Sequence, residues 1–184
     1  MRIIGGQWRG TRLADVGVGD PAAHLRPTGD RVREAIFNLL INGGYGNPVA
    51  GARVLDLFAG TGALGLEALS RGAASLTLVD DGATARALIS RNIALCRTQA
   101  QHLRLNATRL PVNPDAPYDL IFLDPPYGKG LGELALASAQ AGNWFAADAL
   151  ILWEDGSALP PPAGFDVLDQ RRYGTTHVTM LRAP

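Results

Sequence analysis

The chain of 184 residues reads as an α/β domain built on a parallel, doubly wound sheet with helices on both faces. Three observations carry that reading. From residue 53 onward short apolar runs alternate with helical patterns, and strands separated by helices lie parallel. A glycine-rich loop, Asp56-Leu-Phe-Ala-Gly-Thr-Gly-Ala-Leu-Gly65, separates the first such run from its helix. The last two runs have too little chain between them for a crossover helix, so they pair antiparallel. The length suits one domain with a full core and is short for two. Within it, residues 1–48 form a small basic extension and residues 49–184 the core.

The elements follow in order. Gly5-Gly6 stands between two short runs and predicts a hairpin turn over residues 1–13. Residues 14–25 are a polar loop containing glycine and proline. A helix opens after Thr28, the expected N-cap, with Asp30 favourable to the helix dipole in its first turn. Val32, Ile36, Leu39 and Leu40 share one face of it, while Arg31 and Arg33 leave toward other faces. Gly43-Gly44 ends it. The core then reads strand 53–58, helix 63–71, strand 76–79, helix 83–97, strand 102–105, strand 118–123, helix 131–141 and strand 149–153. Two further strands, 165–173 and 177–182, close the chain. Glu154 ends the fifth strand and reads as a solvated acid. Seven strands with a terminal hairpin are the layout of a Rossmann-like methyltransferase.

Composition excludes several classes. Hydrophobic residues make up 47%, which fits a globular chain rather than a disordered one. No apolar run approaches the ~18 residues that span a membrane, and no charged-then-apolar leader opens the chain. The single cysteine, Cys96, rules out an internal disulfide and fits a reducing compartment, so the cytoplasm is expected. His24, His102 and His177 are scattered and make no zinc spacing. No metal, no membrane contact and a monomer are expected. Net charge is zero. Residues 1–33 nevertheless carry six arginines (Arg2, Arg9, Arg12, Arg26, Arg31 and Arg33) against three acids. Those arginines are candidate contacts to nucleic-acid phosphates, with Trp8 available for packing or stacking.

The strand at 118–123 runs directly into Asp124-Pro-Pro-Tyr127. Neither proline can donate to a sheet ladder, so the strand stops there. Asp124 and Tyr127 are left on a stiff turn at the strand's carboxyl end, where open α/β sheets bind ligands. A carboxylate, the fixed Pro125 carbonyl and an aromatic face suit a planar group carrying an exocyclic amine, so Asp124, Pro125, Pro126 and Tyr127 are the candidate catalytic residues.

Gly60, Gly62 and Gly65 satisfy a G-x-G-x-x-G spacing between strand and helix, and Asp80 follows at the end of the second strand. Such a loop admits a ligand against the backbone, and the acid can take both ribose hydroxyls. An adenosine-containing cofactor follows, held by Asp56, Phe58, Ala59, Gly60, Thr61, Gly62, Gly65 and Asp80, with Asp81 as the alternative acid. A nicotinamide dinucleotide and S-adenosylmethionine both satisfy the glycines. Asp56 and Asp124 favour the second: a pyrophosphate at about 6 Å from each would cost roughly 3 kcal/mol per pair at an effective dielectric near 20. A sulfonium and an ammonium would instead be welcome.

Together these motifs resemble the bacterial 16S rRNA (guanine(966)-N2)-methyltransferase family. The resemblance rests on Arg2-Ile-Ile-Gly-Gly-Gln-Trp-Arg-Gly10, Arg26-Pro-Thr-Gly-Asp-Arg-Val-Arg-Glu34, Asp56 to Gly65 continued by Leu66-Glu-Ala-Leu-Ser-Arg71, and Asp124-Pro-Pro-Tyr127. The tetrad is shared with other amino-methylating enzymes, and the N-terminal motifs narrow it. Gly29 departs from the expected second threonine, and Asp80-Asp81 from a glutamate. The resemblance implies an S-adenosylmethionine-dependent transfer to guanine N2, contact of Asn106 and Ala107 with the adenine, and 16S rRNA in the small ribosomal subunit as partner. Asp124 or water would take the departing proton. Rival readings are an adenine-N6 methyltransferase, for which the chain has no spare recognition region, an NAD-dependent oxidoreductase, and a non-catalytic RNA-binding module.

Overall fold

The computed structural model describes residues 1–15, 29–158, 160 and 162–184. Its helices are α1 (Asp30–Asn42), α2 (Ala63–Ser70), α3 (Ala83–Leu95) and α4 (Leu131–Ala141). Its strands are β1 (Arg53–Leu57), β2 (Ser75–Val79), β3 (Gln101–Leu103), β4 (Tyr118–Leu123), β5 (Phe145–Asp155), β6 (Asp166–Tyr173) and β7 (Thr176–Arg182). They form one sheet in the order β3-β2-β1-β4-β5-β7-β6. The first five strands pair parallel, and β7 runs antiparallel to both β5 and β6. This is the expected Rossmann-like sheet with its terminal hairpin. The fifth strand is longer than expected, beginning at Phe145 and ending at Asp155.

Side-chain alternation divides the core between the two faces of the sheet. Val54, Leu120, Phe122, Leu152 and Met180 meet α1, α2 and α3 on one side. Leu55, Leu57, Ile121, Leu123, Ile151 and Leu181 meet α4 on the other. Ile3 and Leu13 of the first residues and Ile36, Phe37 and Leu40 of α1 belong to the first of these clusters, so the basic extension packs into the catalytic core.

The first residues form the expected small antiparallel hairpin: Arg2 bridges Arg12, Ile3 N–H donates to the Thr11 carbonyl at 2.9 Å, Gly10 N–H to the Ile3 carbonyl at 2.8 Å and Leu13 N–H to the Met1 carbonyl at 3.2 Å. Its connecting residues lie along α2 as a strap. The turn falls later, where Arg9 N–H donates to the Gly6 carbonyl. Gln7 N–H donates to the Ser70 carbonyl at 2.8 Å, and the Ser70 hydroxyl donates to Gly5 at 2.6 Å. Gly6 has φ +75°, and a Cβ there would lie 1.8 Å from the Ser70 carbonyl oxygen, so a side chain would lift the strap from the helix. Every residue of α2 is buried.

α1 begins one residue later than the sequence suggests. Its N-cap is Gly29, with no side-chain cap, and the expected cap Thr28 lies outside the described residues. Arg33 does not leave toward solvent: it is fully buried, and its guanidinium pairs with Asp30 at 3.0 Å and with Glu67 of α2 at 3.7 Å. It also donates to the Arg2 carbonyl. Glu67 accepts from Ile4 N–H at 2.8 Å, Gly5 N–H at 2.7 Å and Arg71 at 2.7 Å. The strap and both helices therefore meet on one neutralised ion cluster. Glu154 is buried as well, correcting the expectation of a solvated acid, because β5 continues past it beside β7.

Candidate active site

The strand order reverses direction between β1 and β4, and a crevice opens beyond their carboxyl ends at that switch point. Leu57 pairs with Leu123 in the last register position, which places Phe58 beside Asp124. The loops after β1, β2, β3 and β4 together line a cavity of about 530 Å³. Asp56 comes from the end of β1, Phe58, Ala59, Gly60 and Thr61 from the loop after it, and Asp80 and Asp81 from the second loop. Asn106 and Ala107 come from the third, and Asp124, Pro125, Pro126 and Tyr127 from the fourth. The topology thus gathers residues dispersed over more than sixty positions.

Two of the proposed cofactor glycines do not line this cavity. Gly62 (φ +76°) is the left-handed N-cap of α2, facing Leu78 and Ile89 beneath the loop. Gly65 is a packing glycine: a Cβ there would lie 2.5 Å from Leu76 and 3.1 Å from Asp56 Oδ2. Its N–H donates to that oxygen at 2.9 Å and fixes the carboxyl. The G-x-G-x-x-G spacing marks the loop, but only Gly60 of the three presents backbone to the cavity. Phe58 holds φ +59°, an uncommon value for a bulky residue, and marks local strain at the cavity wall.

Asp80 clamps the two loops. Its Oδ2 accepts from Gly60 N–H at 2.9 Å and its Oδ1 from Gly82 N–H at 2.8 Å. Each oxygen keeps a second acceptor site toward the cavity. Asp81 is exposed beside it. Asn106 uses its side-chain oxygen on the Thr108 N–H and hydroxyl, which shapes the short 3-10 turn Ala107–Arg109 and leaves the amide donors over. Thr108, Lys129 and Leu131 also line the cavity, and no motif in the sequence singles them out.

Burial pushes the Asp56 carboxyl up to about 8, against the pull of the Gly65 N–H; the negative charges of Asp124 and Asp80 push it further the same way. Asp56 is therefore substantially protonated near neutrality. It does not act as the full charge its residue type suggests. Mutual repulsion among carboxyls is relieved by a bound cation and worsened by a pyrophosphate. The residues present fit a cationic, adenosine-bearing group, with carboxyls to receive its charge and small residues at the glycine loop. Among the described residues, no group of three or more His, Cys, Asp or Glu is arranged to hold a metal ion.

On the fourth loop, Pro125 is buried and Asp124 and Tyr127 are half-buried. The Tyr127 ring lies against Gly156, where a Cβ would approach it to 2.9 Å. Asp124 N–H donates to the Leu57 carbonyl at 3.4 Å, tying the turn to the end of β1.

The strap reaches the same site. The Thr61 hydroxyl donates to Met1 Sδ at 3.9 Å. Asn92 of α3, wholly buried, donates to the Thr61 carbonyl at 2.8 Å and to the Ala14 carbonyl at 3.0 Å, and accepts from Ala14 N–H at 2.7 Å. Of the proposed RNA-contacting arginines, Arg2, Arg9, Arg12 and Arg31 are exposed. Arg2 also lies 3.6 Å from Asp30. Arg33 is removed from that set by its burial, and Arg26 lies outside the described residues. Trp8 packs against the core.

Comparison with known proteins points one way. Residues 1–182 match the family model described as conserved hypothetical protein 95. The ribosomal RNA small subunit methyltransferase D of Escherichia coli K12 is 43% identical over 155 residues, 84% of this chain and 74% of that one. The protein of the same name from Haemophilus influenzae is 33% identical over 182 residues, 95% of this chain and 89% of its own. A solved Escherichia coli chain described as a candidate methyltransferase superposes with a TM-score of 0.80 at 34% identity, covering 100% of this chain and 97% of that one.

Proposed function

We infer, for a chain that belongs to the conserved hypothetical protein 95 family and is an S-adenosylmethionine-dependent rRNA methyltransferase, that the acceptor is the exocyclic N2 of a guanine in small-subunit rRNA. The observation that carries this reading is the Asp124-Pro-Pro-Tyr127 turn lining the same cavity as the glycine loop. When bound, S-adenosylmethionine supplies an electrophilic methyl group on a sulfonium. Asp80 would hold its ribose, Asn106 and Ala107 its adenine, and the carboxylate of Asp124 would favour its positive charge.

An exocyclic amine is a weak nucleophile because its lone pair is delocalised into the ring. Asp124 and the Pro125 carbonyl are both acceptors, and each can take one N–H of the amine, which turns the lone pair out of the base plane. The two prolines keep the acceptors from moving. Tyr127 offers its ring to the base. Alignment of this kind is worth roughly 7–11 kcal/mol of a barrier. A base reaches the turn only when unstacked, so the target guanine must be single-stranded or flipped. Arg2, Arg9, Arg12 and Arg31 would hold the flanking phosphates.

Mass spectrometry of nucleosides from small-subunit rRNA, made with and without the protein, tests the assignment. One N2-methylguanine should depend on the protein. A dependent N6-methyladenine, or no difference at all, would reject it.

A further inference from the structure

Residues 82–114 contain five arginines, Arg86, Arg91, Arg97, Arg104 and Arg109, and no aspartate or glutamate. The whole chain balances seventeen basic residues against seventeen acids, so the rest of it carries twelve against seventeen and is net acidic. A general preference for arginine over lysine accounts for the type of cation. It does not account for the missing acids.

All five side chains belong to exposed residues. Among the described residues none of the five pairs with a carboxylate. They sit on α3, on the turn that follows it, and on the segment that leaves β3. β3 is the terminal strand of the sheet, so the charge is gathered along one edge of the molecule. That edge borders the cavity at both ends of the run: Gly82, just before α3, lines it, as do Asn106 to Thr108, just before Arg109. α3 also touches the strap, since Asn92 bonds both backbone groups of Ala14, two residues after the exposed Arg12. The run therefore leaves the lip of the cavity with α3, touches the strap at Asn92 and returns to the lip after β3.

We propose that the β3 edge is a second RNA-holding surface, which grips sugar-phosphate backbone beside the target nucleotide while the strap grips it elsewhere. Uncompensated guanidinium groups match phosphate in charge and, through their paired N–H donors, in shape. Such contacts carry no sequence information, but they orient the strand over the cavity. The proposal rests on the rRNA methyltransferase reading above and adds to it a partner surface absent from the N-terminal motifs.

The triple variant Arg86→Gln/Arg91→Gln/Arg104→Gln tests it, beside the corresponding triple lysine variant. Binding to a small-subunit rRNA fragment is measured across a salt series, with methyl transfer to the small subunit and S-adenosylmethionine binding measured alongside. For the glutamine variant we expect rRNA binding at least tenfold weaker at 0.15 M salt, and a log–log salt slope shallower by about 2. Cofactor affinity and kcat at saturating RNA should be unchanged, and the lysine variant should recover most of the binding. Unchanged affinity and slope in the glutamine variant would overturn the proposal, as would a lysine variant as weak as the glutamine one. Because binding is read directly, a wild type that binds rRNA but methylates no guanine would break the proposed function and still leave the edge tested.

Discussion

The molecule holds two groups of ionisable side chains, each around a buried carboxyl, and they differ in one respect. Around Glu67 the charges alternate in sign. One carboxylate takes two backbone N–H groups and the side chains of Arg33 and Arg71, with Asp30 beyond. Around Asp56 the charges are alike, and Asp80 and Asp124 stand close enough to help keep its carboxyl protonated. The first cluster is complete and joins three parts of the fold. The second gathers carboxyls at the wall of the cavity, where a bound cation would relieve their repulsion. Buried charge of either kind is costly. What separates the two is the sign of the neighbours.

Four substitutions break or sharpen this contrast. Asp124→Ala should cost the most in activity and little in stability. Loss of the amine's acceptor should lower kcat by ~10²–10⁴-fold, the range for a positioned acid or base, while RNA binding and Tm stay near the wild type. Full retained activity would remove Asp124 from the chemistry. Glu67→Leu should do the reverse. It leaves Arg33 buried without one of its counter-charges and the Ile4 and Gly5 amides without an acceptor, at a cost of about 3–5 kcal/mol and a Tm lower by roughly 10 °C. Adding Arg33→Met should return part of that loss. If the double variant is as unstable as the sum of the two single ones, the cluster is not an interacting unit.

Asp56→Asn addresses pH. Asp56 titrates near 4 when unfolded and near 8 when folded, so between those values the native state holds a proton that the unfolded state has lost. Stability from this group is fully present below pH 4 and declines as pH rises toward 8. The wild type should therefore lose Tm across that window relative to Asp56→Asn. A bound cation lowers the same pKa, so binding of S-adenosylmethionine at pH 7 should release a proton, detectable as a buffer-dependent binding enthalpy. The asparagine variant should release less, and equal release by both proteins would assign the proton elsewhere. The smallest effect belongs to Arg2→Gln. Its partner Asp30 lies 3.6 Å away and the arginine side chain is 68% exposed, so the ion pair is worth less than about 1 kcal/mol. Any larger change in Tm would mean that the Glu67 cluster extends to the surface.

Much of the site was legible before any coordinates. Asp124 to Tyr127 announce themselves because two prolines after an apolar run admit few structures. The glycine loop does so because strand, loop and helix follow one another without interruption. Legibility failed where the decisive neighbour is distant in sequence. Arg33 looks like any helix-surface arginine until Glu67 arrives 34 positions later to bury it. Gly65 looks like a cofactor glycine until Leu76 and Asp56 press against it. Asn92 carries no local signal at all, although it links the strap to the cofactor loop. The run without acids from residue 82 to 114 was in plain view, but its meaning depends on β3 being the edge strand.

From sequence alone came the sheet's strand-and-helix alternation, the glycine loop between β1 and α2 and the stiff turn after β4. Each is specified by neighbours a few residues apart, through hydrophobic period, backbone freedom at glycine and its loss at proline. Tertiary structure decided which charges meet an opposite sign and which stand beside their like. That choice depends on distances between side chains from separate elements, because burial turns such distances into shifted protonation and opposite charges into anchors.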